Sequence, residues 1–169
     1  RGSVIPFFLQ KRKEGRLPIT DERMTRFWIT LDHAVALVLR ALQDMAGGEI
    51  WVPRIPSMRI VELARVIGPE CKLEKVGIRP GEKLHEVMIP RDDARETVRF
   101  PDHFVIKPSF PWWDDSKHEA SGGRPCEEGF YYGSDNNTDW VDADTMARMI
   151  AELDLPEAKE WARERGMKD

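Results

Sequence analysis

Thr30–Met45, TLDHAVALVLRALQDM, runs through Gly47-Gly48 into Glu49–Pro53, EIWVP, and this stretch decides the fold. The Thr30 hydroxyl is suited to cap a helix that starts at Leu31 and continues to about Met45. Val35, Leu37, Val38, Leu39 and Leu42 give that helix a broad apolar face, which predicts burial. The glycine pair ends it, and EIWVP reads as a buried strand. Ser57 is placed to cap a second helix, Met58–Ile67, closed by Gly68-Pro69, and Lys72–Ile78 alternates as a further strand. Helices alternating with strands predict an α/β chain.

Working outward towards Arg1, Ser3 can cap a helix over Val4–Lys13 with Pro6 in its first turn, where a missing N–H costs nothing. Gly15 ends it, Leu17–Thr20 is a short extended run, Asp21–Met24 is polar and turn-like, and Arg26–Thr30 is rich in strand formers. On the other side, Arg79-Pro80-Gly81-Glu82 is a turn by composition. Leu84–Ile89 reads as a strand or short helix and His103–Lys107 as a strand. Residues 108–129, rich in Pro, Gly, Asp and Ser, read as an irregular loop. Asp142 or Asp144 caps a helix to Leu153, and a charged helix follows Pro156. The expected division is 1–107, then the loop 108–129, then a carboxy-terminal extension 130–169.

The bulk numbers fit this reading. The chain has 169 residues, 41 % apolar and 33 % charged, enough for a real core in a water-facing protein. A net charge of −4 gives no overall attraction for nucleic acid, though a local basic pocket for phosphates is compatible with it. Cys71 and Cys126 stand apart from each other and from histidine at ligand spacing, as expected of reduced cysteines in a reducing compartment. No apolar run approaches the ~20 residues of a membrane span, and no signal peptide is visible. The chain opens on Arg1 rather than Met, which reads as a fragment or processed piece.

Several catalytic motifs are absent. There is no GxGxxG or GxxxxGK[ST] phosphate loop, no GxSxG elbow and no HExxH. His33, His85, His103 and His118 are scattered. Asp135, Asn137 and Asp139 open like a calcium loop, but Trp140 and Met146 occupy the positions that need Gly and Glu, so an Asx turn is expected instead. Two arginines stand out. Arg26 precedes the apolar Phe27-Trp28-Ile29, and Arg79 ends an apolar run just before Pro80-Gly81. The planar guanidinium donates bidentate bonds to phosphate, and Glu82 could accept from ribose hydroxyls.

Taken together, RGSVIPFF (Arg1–Phe8), LPITDERMTRFWIT (Leu17–Thr30), GGEIWVPRIPSM (Gly47–Met58), GIRPGEKLHEVMI (Gly77–Ile89) and EGFYYGSDNNTDW (Glu128–Trp140) resemble the inverting UDP-N-acetylglucosamine 4,6-dehydratases. These are extended short-chain dehydrogenase/reductases of the pseudaminic acid pathway type. TDERMTRFWIT and RPGEKLHE are the most specific stretches, and Phe110–Cys126 is the least similar. The resemblance implies the carboxy-terminal, substrate-binding part of such an enzyme, without its Rossmann domain for NADP and without its catalytic residues. It implies oxidation at C4 of the sugar, loss of water across C5 and C6, and inversion at C5.

For the site, the resemblance implies that Ser3 and Val4 open a helix towards the diphosphate. Leu17, Ile19 and Thr20 would lie along the uracil, mainly by backbone. Arg26 and Arg79 would hold the diphosphate and ribose side, Glu82 the ribose, and Trp28 would wall the pocket, with Met24 and Thr25 beside them. The implied partners are UDP-N-acetylglucosamine, an amino-terminal cofactor domain and a second copy in a homo-oligomer. The implied location is the cytoplasm, with no nucleic acid or membrane partner. A UDP-N-acetylhexosamine 4-epimerase on the same framework is the alternative enzyme. A non-catalytic nucleotide-sugar-binding or oligomer-forming module is the alternative of another class.

Overall fold

The computed structural model describes residues 3–110, 113, 116, 118 and 121–167. The chain packs into two units that interleave along the sequence: residues 1–26, 57–85 and 140–169 form the first, and residues 27–56 and 86–139 form the second. The linear segments 1–107, 108–129 and 130–169 are therefore each shared between, or part of, units built from distant stretches.

The first unit is helical around short strands. Helix α1, Val4–Lys11, passes into a 3₁₀ turn, Arg12–Glu14, which ends at Gly15 with φ of 72°, a left-handed value that glycine adopts without strain. Strand β1, Arg16–Ile19, then runs parallel to β5, Lys72–Lys75, with Leu17 opposite Leu73 and Ile19 opposite Lys75. Strand β2, Thr25–Phe27, pairs with β4, Ser57–Arg59. Helices α3 (Ile60–Ile67), α4 (Ala143–Ala151) and α5 (Pro156–Glu164) pack with α1 around the core. Phe8, Leu9, Leu17, Leu63, Ile67, Met146, Ile150 and Trp161 are fully buried there. The Trp161 indole N–H donates to the Ile67 carbonyl at 2.8 Å, which satisfies its one polar atom. Asp142 caps α4 as expected, accepting from the Thr145 N–H at 2.7 Å.

Two local expectations change here. Ser57 is not a helix cap: it is buried in β4, and α3 begins only at Ile60 behind Arg59. Pairing of β4 with β2, and the bridge from Ser57 to Trp140, hold those residues extended against their local preference. The expected strand Lys72–Ile78 stops at Lys75, because β1 ends opposite it at Ile19.

The second unit is built on an antiparallel sheet ordered β3-β8-β7-β9, where β3 is Ile50–Pro53, β7 is Thr97–Arg99, β8 is His103–Ile106 and β9 is Arg124–Pro125. A second pair joins β6 (Val87–Ile89) to β10 (Tyr132–Gly133). Val52, Ile89, Phe104 and Tyr132 make one apolar cluster, and Val98, Phe100 and Val105 another. The expected loop 108–129 thus contains an edge strand, β9. Gly123 is what lets it approach, since a Cβ there would sit 2.4 Å from Val98 and 2.6 Å from Phe100. The loop residues 111, 112, 114, 115, 117, 119 and 120 lie outside the described ones. Leu84–Ile89 is a strand only over Val87–Ile89. EIWVP is the sheet's edge strand rather than a buried one, with Val52 buried and Ile50 61 % exposed.

Helix α2, Leu31–Asp44, forms as expected, with Thr30 Oγ accepting from the His33 N–H at 3.3 Å. Its predicted burial does not hold: none of its residues is buried. Leu31 is 78 % exposed, Leu42 66 %, Val38 and Leu39 57 % each and Val35 49 %.

His103 lies buried between Trp51, stacked at 4.4 Å, and Phe100, stacked at 4.5 Å. Burial holds its pKa below the usual 6.5, and the bond to Asp102 only partly offsets this. The unfolded chain therefore takes up the proton first as pH falls below about 6.5, so acid should lower stability through this residue. Thermal melts between pH 7.5 and 5.5 should show a steeper fall for the wild type than for His103→Gln. Equal slopes would exclude His103 as the source.

Candidate nucleotide-binding site

The expected binding residues, Trp28 apart, all belong to the first unit. Leu17 and Ile19 point into the core with no more than 2 % exposure, and their backbone faces β5, where the Ile19 carbonyl accepts from the Val76 N–H at 2.9 Å. β1 and β5 form a two-stranded sheet, so among the described residues the other edge of β1 carries the backbone groups of Arg16 and Pro18 and leads to half-buried Thr20. Ser3 occupies the cap position of α1, but its side chain makes no capping bond. The first N–H groups of a helix have no partner within it, and here they belong to Val4 and Ile5, because Pro6 has none.

The turn after β1 is fixed by charge. Asp21 is buried and accepts from the Arg23 backbone N–H at 2.9 Å, from Arg23 Nε at 3.0 Å and from Nη2 at 2.9 Å. The Arg23 side chain, with help from its backbone N–H, holds the Asp21 carboxyl well below the usual carboxylate range. That turn delivers Met24 and Thr25. The Met24 carbonyl accepts from the Ile60 N–H at 3.0 Å, and the Thr25 N–H donates to the Leu84 carbonyl at 3.2 Å. Buried Thr25 also meets His85, Oγ1 to Nδ1, at 2.8 Å.

Arg26 spends much of its fork on the backbone. Nη1 donates to the carbonyls of Thr25 at 2.7 Å and Leu84 at 3.1 Å, and Nη2 donates to Lys83 at 2.9 Å. It therefore clamps the RPGEKLHE segment onto β2. Within that segment the Glu82 N–H donates to the Arg79 carbonyl at 3.0 Å, and Glu82 Oε2 accepts from the Arg79 N–H at 3.1 Å. Gly81 takes φ of 79° to close the turn. The turn leaves the Arg79 side chain exposed, and among the described residues its guanidinium makes no hydrogen bond or ion pair. Trp28 belongs to the second unit, is 7 % exposed, and donates its backbone N–H to the Pro56 carbonyl at 2.9 Å.

Arg79, Glu82 and His85 thus lie on the segment that Arg26 clamps onto β2, with Thr25 beside it. Sequence reading passed over two members of this arrangement, His85 and the Asp21–Arg23 pair. The signal for the pair was present in the Asp-x-Arg spacing of a polar turn. The signal for His85 was not, since its partner is 60 positions away. The arrangement can hold an anion and accept from hydroxyls, but it offers no poised base. Both cysteines are free, and burial pushes both thiols upward, away from the reactive thiolate. Among the described residues no cluster of His, Cys, Asp or Glu could hold a metal ion. No described helix is long and apolar enough to cross a membrane. A dinucleotide cofactor does not fit these residues either: β2 leads into α2 through Trp28-Ile29-Thr30, and β4 leads directly into α3, with no glycine turn to cradle a pyrophosphate.

The sequence pattern of the polysaccharide biosynthesis proteins matches residues 1–108, which include every one of these residues. The chain belongs to that family. An inverting UDP-N-acetylglucosamine 4,6-dehydratase of Campylobacter jejuni is 45 % identical over 157 residues, covering 89 % of this chain and 47 % of the relative. A UDP-glucose 4-epimerase of Rickettsia canadensis is 36 % identical over 111 residues, covering 63 % of this chain and 33 % of its own length. Among solved structures, Pen from Bacillus thuringiensis superposes with a TM-score of 0.71 at 26 % identity, over 89 % of this chain and 45 % of that one. The resemblance to the inverting dehydratases and the α/β class are thereby borne out. The chain spans about half the length of the Campylobacter dehydratase and of Pen, and a third of the Rickettsia epimerase.

Proposed function

We propose that this chain holds the UDP of UDP-N-acetylglucosamine in an NADP-dependent, C5-inverting sugar-nucleotide 4,6-dehydratase. The observation that carries the reading is the clamp: Arg26 fixes the backbone of Lys83 and Leu84, and the turn so held presents an exposed Arg79 beside Glu82. Arg79 would pair with the diphosphate and Glu82 would take a ribose hydroxyl. Arg26 and Thr25 would act chiefly by positioning. The backbone of the Leu17–Thr20 stretch, including Leu17, Ile19 and Thr20, would run along the uracil. The first N–H groups of α1, at Val4 behind Ser3, would face phosphate oxygens.

The chemistry at the sugar falls to groups outside this chain, as does NADP. The contribution of these residues is to fix the nucleotide so that the hexose meets the reacting groups in one orientation. The whole protein is read as a cytoplasmic homo-oligomer in surface-polysaccharide or flagellin-sugar synthesis. The 4-epimerase reading has support from the Rickettsia match, which is lower in identity and shorter in coverage.

Replacing the matched part of the Campylobacter relative with this chain tests the reading. The chimera should convert UDP-N-acetylglucosamine to a 4-keto-6-deoxy product. A folded chimera that yields only a 4-epimer, or that fails to bind UDP, would overturn it.

A further inference from the structure

Arg54, Arg99 and Arg124 fall in one row on one face of the second unit's sheet. Residues directly opposite each other on paired strands share a face. Val52 on β3 is opposite Phe104 on β8, Phe104 is opposite Arg99 on β7, and Arg99 is opposite Arg124 on β9. Arg54 stands two positions past Val52, just beyond the end of β3. Its guanidinium carbon lies 5.8 Å from the Phe104 ring centre. That of Arg99 lies 5.8 Å from the same centre and 4.9 Å from the Phe130 ring. Val98 and Val105, one position along each strand, take the other face. The strand register therefore holds the arginines together, and all three are exposed.

The charge of this row is not compensated. Like charges directly opposite on paired strands repel, and Arg99 and Arg124 are such a pair, in a chain whose net charge is −4. Among the described residues none of the three arginines makes an ion pair. Arg54 bonds through Nη1, to the carbonyls of Phe100 at 3.3 Å and Pro101 at 2.7 Å, and among the described residues its Nη2 and Nε have no partner. A cavity of about 130 Å³ is lined by Arg54 and Arg99 together with Phe104, Tyr132, Asn137 and Thr138, and no carboxylate lines it. Tyr132 and Asn137 both donate to the Ile55 carbonyl, at 3.0 and 2.8 Å, so the guanidiniums and the Thr138 hydroxyl are left to receive a ligand. The volume is well below the roughly 300 Å³ at which clefts for whole ligands begin. It admits one compact anion and not a nucleoside. Two planar forks suit a tetrahedral dianion better than a singly charged carboxylate. The adjoining cavity, about 460 Å³, shares Arg99 and Phe130 but is lined by Glu127 and Glu128 beside Arg124, which favours the Arg54 side for an anion.

We propose that the cavity between Arg54 and Arg99 is a separate anion site, which takes a phosphoryl group, as the free ion or as the end of a small phosphate monoester. This inference does not rest on the nucleotide assignment; the cavity and the arginine clamp belong to different units and are tested separately.

The experiment is a titration of the whole chain with sodium phosphate at constant ionic strength, followed by NMR through the backbone and arginine Nε–H signals. It is done with Arg79→Ala in place, which takes out the arginine assigned to the nucleotide. The signals of Arg54, Arg99 and their neighbours on β7 and β8 should shift together and saturate. Arg99→Gln should raise the phosphate midpoint by about tenfold or more, as expected for the loss of one charge-assisted contact. Arg54→Gln should do the same, and it serves alone if Arg99→Gln does not fold. Glycerol phosphate that saturates the same signals would identify a monoester end, and its failure beside a phosphate response would confine the site to the free ion. Acetate that saturates them at the phosphate midpoint would overturn the choice of a phosphoryl group. Shifts that follow ionic strength alone, the mark of an adventitious ion only, or that persist unchanged in the glutamine variants, would overturn the site.

Discussion

Purified and supplied with NADP and UDP-N-acetylglucosamine, this chain should form no 4-keto-6-deoxy product above a no-protein control, while the chimera with the Campylobacter relative should form it readily. Removing hydride from the sugar requires an acceptor held against one carbon, and eliminating water requires a placed base and acid. The described residues supply neither. Arg26 and Arg79 offer hydrogen-bond donors and no acceptor, so neither can serve as a base. His85 is engaged with Thr25, and His103 is sealed between two aromatic rings. Asp21 is neutralised by Arg23 and held well below the range of a useful general base. The thiols of Cys71 and Cys126 are shifted upward by burial. Chromatography of the nucleotide sugars decides the matter. Product from the chain alone would mean that a complete catalytic site lies within it.

Arg79→Ala in the same chimera should weaken UDP binding by about 10- to 150-fold, the equivalent of losing one charge-assisted phosphate contact worth about 1.5–3 kcal/mol. The substitution is a clean one. The turn at Arg79–Glu82 is held through the Arg79 backbone N–H and C=O, which alanine retains. Lysine in its place should recover part of the loss, since it keeps the charge without the fork. Arg26→Ala should behave differently, lowering both affinity and melting temperature, because it releases three backbone carbonyls along with the clamp. Calorimetric titration of UDP separates these cases. Unchanged affinity in Arg79→Ala would make Arg79 an ordinary surface charge.

The α/β class was legible because helix punctuation is local. Thr30 and Asp142 cap where their hydroxyl and carboxylate predict, and Gly15 and Gly68 stop helices where the periodicity fails. Ser57 misled because strand pairing overrode a local capping preference, and the partner strand at Thr25–Phe27 is 30 residues away in sequence. The apolar stripe of α2 was read as a buried face and is exposed, because periodicity reports which residues share a face and not whether the chain covers it. At the candidate site, the motifs marked Arg26, Arg79 and Glu82. They did not reveal that Arg26 faces carbonyls of the same segment, or that His85 and Asp21 set the geometry. Such contacts depend on which loops meet, and composition carries no record of that.

Hydrogen exchange on the chimera, with and without saturating UDP, tests most directly whether this chain is the nucleotide-holding part. Protection on UDP binding should concentrate in residues 16–20 and 79–85, along β1 and the arginine-clamped turn, with a smaller effect at the start of α1. Within this chain, the sheet β3-β8-β7-β9 should exchange at the same rate in both states. UDP that binds and leaves 16–20 and 79–85 unprotected, while slowing exchange in that sheet, would contradict the assignment of the nucleotide to the first unit.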